Sequence, residues 1–129
     1  MLDTNVCIAV MRGHAKAIAC LAGHAPDDCA ISSVVAYELF TGLAKCRDLE
    51  REQGRVRRLL SVIRIKVFDE KAAEQAARVR TELEKIGRIC GPYDLLIAGH
   101  ALSLGLILAT NNLRELSRID GLQVQDWLA

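Results

Sequence analysis

Three carboxylates stand in apolar settings where a charge is costly. Asp94 stands at the start of the apolar run of GPYDLLIAGHAL (residues 91–102), Glu38 lies in VVAYELFTGL beside the stripe Val34, Val35, Leu39 and Leu43, and Asp3 follows an apolar start. A further polar group, Thr110-Asn111-Asn112, leaves the apolar stretch LILAT. Each has an ordinary explanation taken alone. Pro92 suits a first helical position, and an acid in the turn it opens gains roughly 0.3–1 kcal/mol from the helix dipole. Asp3 can cap a helix, Glu38 can be a solvated helix residue, and Thr110-Asn111-Asn112 can be a turn with a cap. Brought into one hollow they require more, because two carboxylates ~4 Å apart repel by about 4 kcal/mol at an effective dielectric near 20. Protons or a cation must relieve them. Oxygen donors without His or Cys suit Mg²⁺ or Mn²⁺ rather than zinc. His14, His24 and His100 offer no H-E-x-x-H spacing and read as surface or packing residues. Five cysteines without a C-x-x-C pair read as small buried hydrophobes.

The elements that must position these acids are legible as punctuation. Residues 1–3 form a short strand ending in an acid, followed by a helix over about 6–11 that stops at Gly13 and an Ala-rich helix over 14–22. CAISSV alternates and is β-branched, which predicts a strand whose Ser32 or Ser33 caps a helix over about 34–45. A basic helix over 48–62, weakened at Gly54, precedes IRIKVF, whose period of two predicts a strand with one wet face. Asp69 starts a helix over about 70–86, with Ala72, Ala76, Val79, Leu83 and Ile86 on one stripe. The helix from Pro92 to about Leu104 is apolar nearly all round and belongs in the interior, where Gly99 implies close packing. LILAT reads as a central strand, 112–118 as a short helix and LQVQDW as a last strand. Strands alternating with helices predict a parallel sheet covered on both faces, and such sheets collect chemistry outside the carboxyl ends of their strands.

Composition narrows the class further. The 129 residues are 51% hydrophobic and 26% charged, with two prolines and no repeat or low-complexity tract, which predicts one domain over 1–129. No apolar run approaches the ~18 residues of a spanning helix, and no secretory pattern opens the chain, so a cytoplasmic setting without membrane contact is expected. The net charge of +1 hides an asymmetry: residues 45–66 hold eight Lys/Arg against three Asp/Glu, a local +5 that leaves −4 elsewhere. That segment reads either as a solvated face or as a surface facing phosphates or an acidic partner.

MLDTNVCI, ISSVVAYELFTGL, GPYDLLIAGHALSLG and LATNNLREL resemble, in order and spacing across essentially the whole chain, the PIN-domain ribonucleases, most closely the VapC-type toxins of bacterial toxin-antitoxin pairs. The resemblance implies a three-layer α/β/α domain with a central, mainly parallel sheet of about five strands. It assigns the acidic cluster to Asp3, Glu38 and Asp94 as metal ligands, with Thr4, Asn5 and Thr110 as polar support. Many PIN domains carry T-N-D where this chain has Thr110-Asn111-Asn112; Asn112 thus replaces a carboxylate, Glu115 is a candidate compensator, and one metal or two is left open.

The acidic cluster suits metal-assisted hydrolysis of phosphodiester bonds, with Mg²⁺ or Mn²⁺ held by Asp3, Glu38 and Asp94 and with Asn112 positioning a water; that the substrate is RNA is what the resemblance implies. Arg12, Lys16, Arg55, Arg57 and Arg58 are candidate RNA contacts, although the basic segment can instead build a dimer. The resemblance also implies a homodimer and a VapB-like antitoxin whose C-terminal segment covers the acids. Two rivals stand: a non-catalytic PIN-like module for RNA or protein, and a metal-dependent phosphatase, for which neither a D-x-D pair nor a phosphate-cradling Gly loop is present.

Overall fold

The computed structural model describes all residues from Met1 to Ala129. Its elements begin where a short polar side chain can satisfy free helix N–H groups. Asp3 caps α1 (Thr4–Met11), His14 caps α2 (Ala15–Ala22) through a ring nitrogen, and a 3₁₀ turn over Pro26–Asp28 leads into β1 (Ala30–Ser32). Ser32 then caps α3 (Ser33–Lys45), Asp48 caps α4 (Leu49–Val62), and β2 (Arg64–Lys66) follows. Asp69 caps α5 (Glu70–Lys85), after which α6 (Pro92–Leu104) opens on proline and closes at Gly105 in the left-handed region, φ 65°. The chain ends with β3 (Leu108–Ala109), α7 (Leu113–Leu116) and β4 (Val124–Gln125).

β1 pairs with β2 and β3 with β4, both in parallel. Residues 1–3 join the two halves: the Leu2 amide donates to Ala30 O at 3.0 Å, the Asp3 amide to Ala109 O at 3.0 Å, and the Ala109 amide to Met1 O at 2.8 Å. The extended segments therefore run β2, β1, residues 1–3, β3, β4. Numbered along the chain, that order is 3-2-1-4-5, and it reverses between residues 1–3 and β3. Leu2, Ile31 and Leu108 are fully buried and their neighbours Met1, Ser32 and Ala109 are buried as well, so both faces of the sheet are covered. This is the α/β/α arrangement expected of a parallel sheet.

Two expectations need correction. IRIKVF does not bury one face: all of β2 is exposed, Ile65 at 43%, and only the preceding Ile63 is buried. As the outermost strand it has β1 on one side alone. LQVQDW pairs only over Val124–Gln125, because Trp127 leaves the ladder to bury itself, its ring stacked on His24. The regular part of the sheet is accordingly shorter than the apolar runs suggest.

Helices α1 to α4 form one packed group, and α5 lies along α6 in another. Gly99 of α6 explains how closely: a Cβ there would stand 2.5 Å from the Ala76 backbone of α5. The gap accepts hydrogen only.

A candidate acidic active site

The reversal of strand order is where an α/β sheet leaves a crevice, since the connections on its two sides diverge. Asp3 leaves the sheet on one side of that point and Thr110 on the other. Asp3 is 3% exposed, and its Oδ1 accepts the Val6 amide at 2.9 Å, so the helix cap and the site residue are one group. Burial raises its pKa above the ordinary carboxylate value, hydrogen bonds from the Thr110 hydroxyl and the Val6 amide oppose that, and the charges of Asp94 and Glu38 raise it further. Both acids therefore lie close enough to repel it.

The remaining acids are tethered by neutral donors. Thr4 Oγ1, beside Asp3, donates to Glu38 Oε1 at 2.6 Å, which holds α3 against α1. Asn112 Nδ2 donates to Asp94 Oδ2 at 3.1 Å and to Glu115 Oε2 at 3.0 Å, while its backbone amide donates to the fully buried Thr110 Oγ1 at 2.9 Å. Asn5 reaches Asn111 at 3.5 Å on the exposed rim. Burial raises the Asp94 pKa, the Asn112 hydrogen bond opposes it, and the Glu115 charge adds to it. Asp3, Thr4, Glu38, Asp94, Thr110, Asn112 and Glu115 thus form one connected cluster drawn from four helices and two strand ends.

No three His, Cys, Asp or Glu side chains close on one another as a ready-made coordination shell. The tethers explain this, because each acid is turned toward its own donor. The donor set is nevertheless hard oxygen throughout, with repulsion left among its carboxylates, and it fits Mg²⁺ or Mn²⁺. None of the histidines takes part. His14 is a helix cap, His24 stacks on Trp127, and His100 is buried with Nδ1 2.8 Å from Ser32 Oγ.

Three neighbours of the cluster carried no signal of their own in motif or spacing. Cys90 is buried beside Asp94 and Glu115, and burial together with those charges pushes its thiol up to about 12. It is therefore a neutral group beside those two acids. Tyr37 and Tyr93 meet with ring centroids 5.8 Å apart, and both remain largely exposed. Their position was the available signal: each precedes a cluster acid, Glu38 or Asp94, by one residue.

The candidate basic contacts separate. Arg12 follows α1 and shares a groove with Glu38. Arg55 is occupied by Glu52 at 2.8 Å, and both it and Arg58 line a smaller cavity away from the acids. Arg57 and Lys16 are exposed, on α4 and α2, and line none of these hollows.

Fold and site define a class: an α/β/α domain with a doubly wound parallel sheet and an oxygen-rich acidic pocket at its switch point. Comparison with known proteins narrows it. The PIN domain family matches residues 1–122. Over 127 residues the chain is 39% identical to the tRNA(fMet)-specific endonuclease VapC of Shigella flexneri, covering 98% of this chain and 96% of that protein. It is 37% identical to ribonuclease VapC2 of Rickettsia felis over 131 residues, again 98% and 96%. Among solved structures, VapBC2 from Rickettsia felis bound to a DNA fragment from its promoter superposes with a TM-score of 0.92 at 37% identity, covering 98% of this chain and 97% of that one. The chain belongs to the PIN-domain family and, within it, to the VapC type.

Proposed function

We propose that this chain is a divalent-metal-dependent endoribonuclease and the toxin of a toxin-antitoxin pair. The observation that carries the reading is that Glu38 and Asp94 lie near enough to Asp3 for their charges to act on it, at the switch point of a chain that aligns almost end to end with relatives named as ribonucleases. Asp3, Glu38 and Asp94 would hold Mg²⁺ or Mn²⁺, and Glu115 would supply the carboxylate that Asn112 does not. When bound, such an ion provides a nucleophile at neutral pH and offsets the charge that builds on phosphorus. The protein does the rest through position. The helix cap fixes Asp3, Thr4 fixes Glu38, and Asn112 bridges Asp94 and Glu115 through its amide while its oxygen orients water toward the substrate.

The VapBC complexes among the structural neighbours support a VapB-like antitoxin as partner, with a basic side chain presented to the acids. A homodimer is supported by exposed apolar groups on one face. The Phe68 amide donates to Ser33 Oγ, which places Val67 beside the α3 face carrying Tyr37 and Phe40, and Tyr93 meets Tyr37. Val67 is 74% exposed and Phe40 49%. No single helix is long and apolar enough to cross a membrane.

The test is RNA cleavage by the purified protein with Mg²⁺, with Mn²⁺ and with EDTA, beside Asp94→Asn. Cleavage with either ion, lost on chelation and lost in the variant, is expected. Cleavage that survives both treatments overturns the mechanism.

A further inference from the structure

We infer that the groove between α1, α3 and α4 is the subsite that holds single-stranded RNA next to the scissile phosphate, through Arg12, Arg47 and Arg51. The inference rests on the nuclease reading and adds the path of the substrate. The groove encloses about 390 Å³ and includes Glu38 in its wall, so it opens directly from the acidic cluster. Arg12 enters from the end of α1, Arg47 from the connection before α4, and Arg51 from the first turn of α4.

The charges around this groove are not equivalent. Glu52 is engaged by Arg55, Asp48 accepts the Arg51 amide as the cap of α4, and Glu38 accepts from Thr4. The ion pairs of the chain use Arg55, Arg64, Arg78 and Arg80, so the guanidinium groups of Arg12, Arg47 and Arg51 have no acidic partner. Three unpaired guanidinium groups around one hollow complement a run of phosphates, each of which accepts a bidentate pair. Between them the floor is apolar, built on Met11, Leu39, Leu43 and Val56. An apolar floor between cations suits unstacked bases, which a duplex keeps inside its own helix. The basic excess of residues 45–66 thus acts through Arg47 and Arg51, on the side of α4 that faces α3, rather than through Arg55, Arg57 and Arg58.

The experiment measures binding, apart from cleavage. In the Asp94→Asn background with Mg²⁺, a fluorescein-labelled, mixed-sequence single-stranded RNA of about 12 nucleotides is titrated by anisotropy across KCl concentrations. Removal of two phosphate contacts in Arg47→Ala/Arg51→Ala is expected to flatten the slope of log K against log salt by about 1.4, at ~0.7 per single-strand contact. Arg57→Ala/Arg58→Ala is expected to leave the slope unchanged. All four side chains are exposed, so thermal midpoints should remain close to that of the parent. An unchanged slope in Arg47→Ala/Arg51→Ala overturns the inference, and so does equal flattening in the control. Competition by a 12-residue polyglutamate as effective as the RNA also overturns it and gives the groove to an acidic protein segment. Parallel cleavage by the unsubstituted chain separates the two readings: cleavage with an unaltered slope removes the groove alone, whereas a flattened slope without cleavage removes the nuclease alone.

Discussion

Asn112 gives both hydrogens of one amide to two carboxylates, and that double duty explains why an uncharged residue can stand amid acids. Asn112→Asp would replace two donors with a third negative charge. Both hydrogen bonds are partly buried and run to charged groups, and losing them together with the added repulsion costs on the order of 1–3 kcal/mol, so the variant should melt lower in EDTA and recover part of the loss on addition of Mg²⁺. Thermal denaturation with and without the ion checks this, and a midpoint indifferent to Mg²⁺ would deny the site its metal. His100 provides a pH dependence of known sign. Burial lowers its pKa and the Asp69 charge opposes that, so the folded protein keeps the ring neutral while the unfolded chain titrates near its ordinary value of about 6.5. Stability from this group is complete above that value and falls as pH drops toward the lowered folded value. Urea midpoints of the parent and His100→Gln should therefore converge between about pH 7 and pH 5.5; a constant gap would mean that the ring does not titrate in folding. Glu38 and Asp94 were legible because each interrupts an apolar run and Asp3 because it closes a short opening strand, and the family resemblance grouped the three as one set. Their tethers were not, since periodicity reports burial and not which donor meets which acceptor across 18 or 34 residues.

Among the elements, glycine shows how one substitution changes sign with its surroundings. A Cβ at Gly99 would meet the Ala76 backbone at 2.5 Å, so Gly99→Ala must drive α5 and α6 apart. Overpacking of this kind costs typically about 1–3 kcal/mol and more when backbone is the obstacle. At Gly54, inside α4, the nearest atom to an added Cβ is the tip of Arg58 at 4.0 Å. Gly54→Ala should therefore stabilise by up to about 1 kcal/mol through helix propensity. Denaturant titration of the two variants checks both signs. Helix limits were the most legible part of the fold, because Asp3, Ser32, Asp69, Pro92 and Gly105 are end signals with a local mechanism. Strand burial was less so. Ile65 alternates like a half-buried residue yet is exposed, because its position at the sheet edge depends on the order of strands, which local pattern does not encode.

Across the whole molecule, the face bearing Tyr37, Phe40 and Val67 sets the expected oligomeric state. A dimer built there would place two acidic pockets near one another, since Tyr37 adjoins Glu38. Phe40→Glu or Val67→Glu should shift the sedimentation coefficient from dimer to monomer; a parent chain that is already monomeric would remove the dimer and leave the acidic site intact. The sheet has one further consequence. Asp3 is oriented by a hydrogen bond from its own amide to Ala109, 106 residues further along. A nascent polypeptide emerged from the ribosome only as far as α6 already contains Asp3, Glu38 and Asp94, but not the strand against which the first of them is set. Under the proposed nuclease reading, hydrolysis is expected only once β3 has slid in beside the opening residues, so a chain truncated before that point should not cleave RNA.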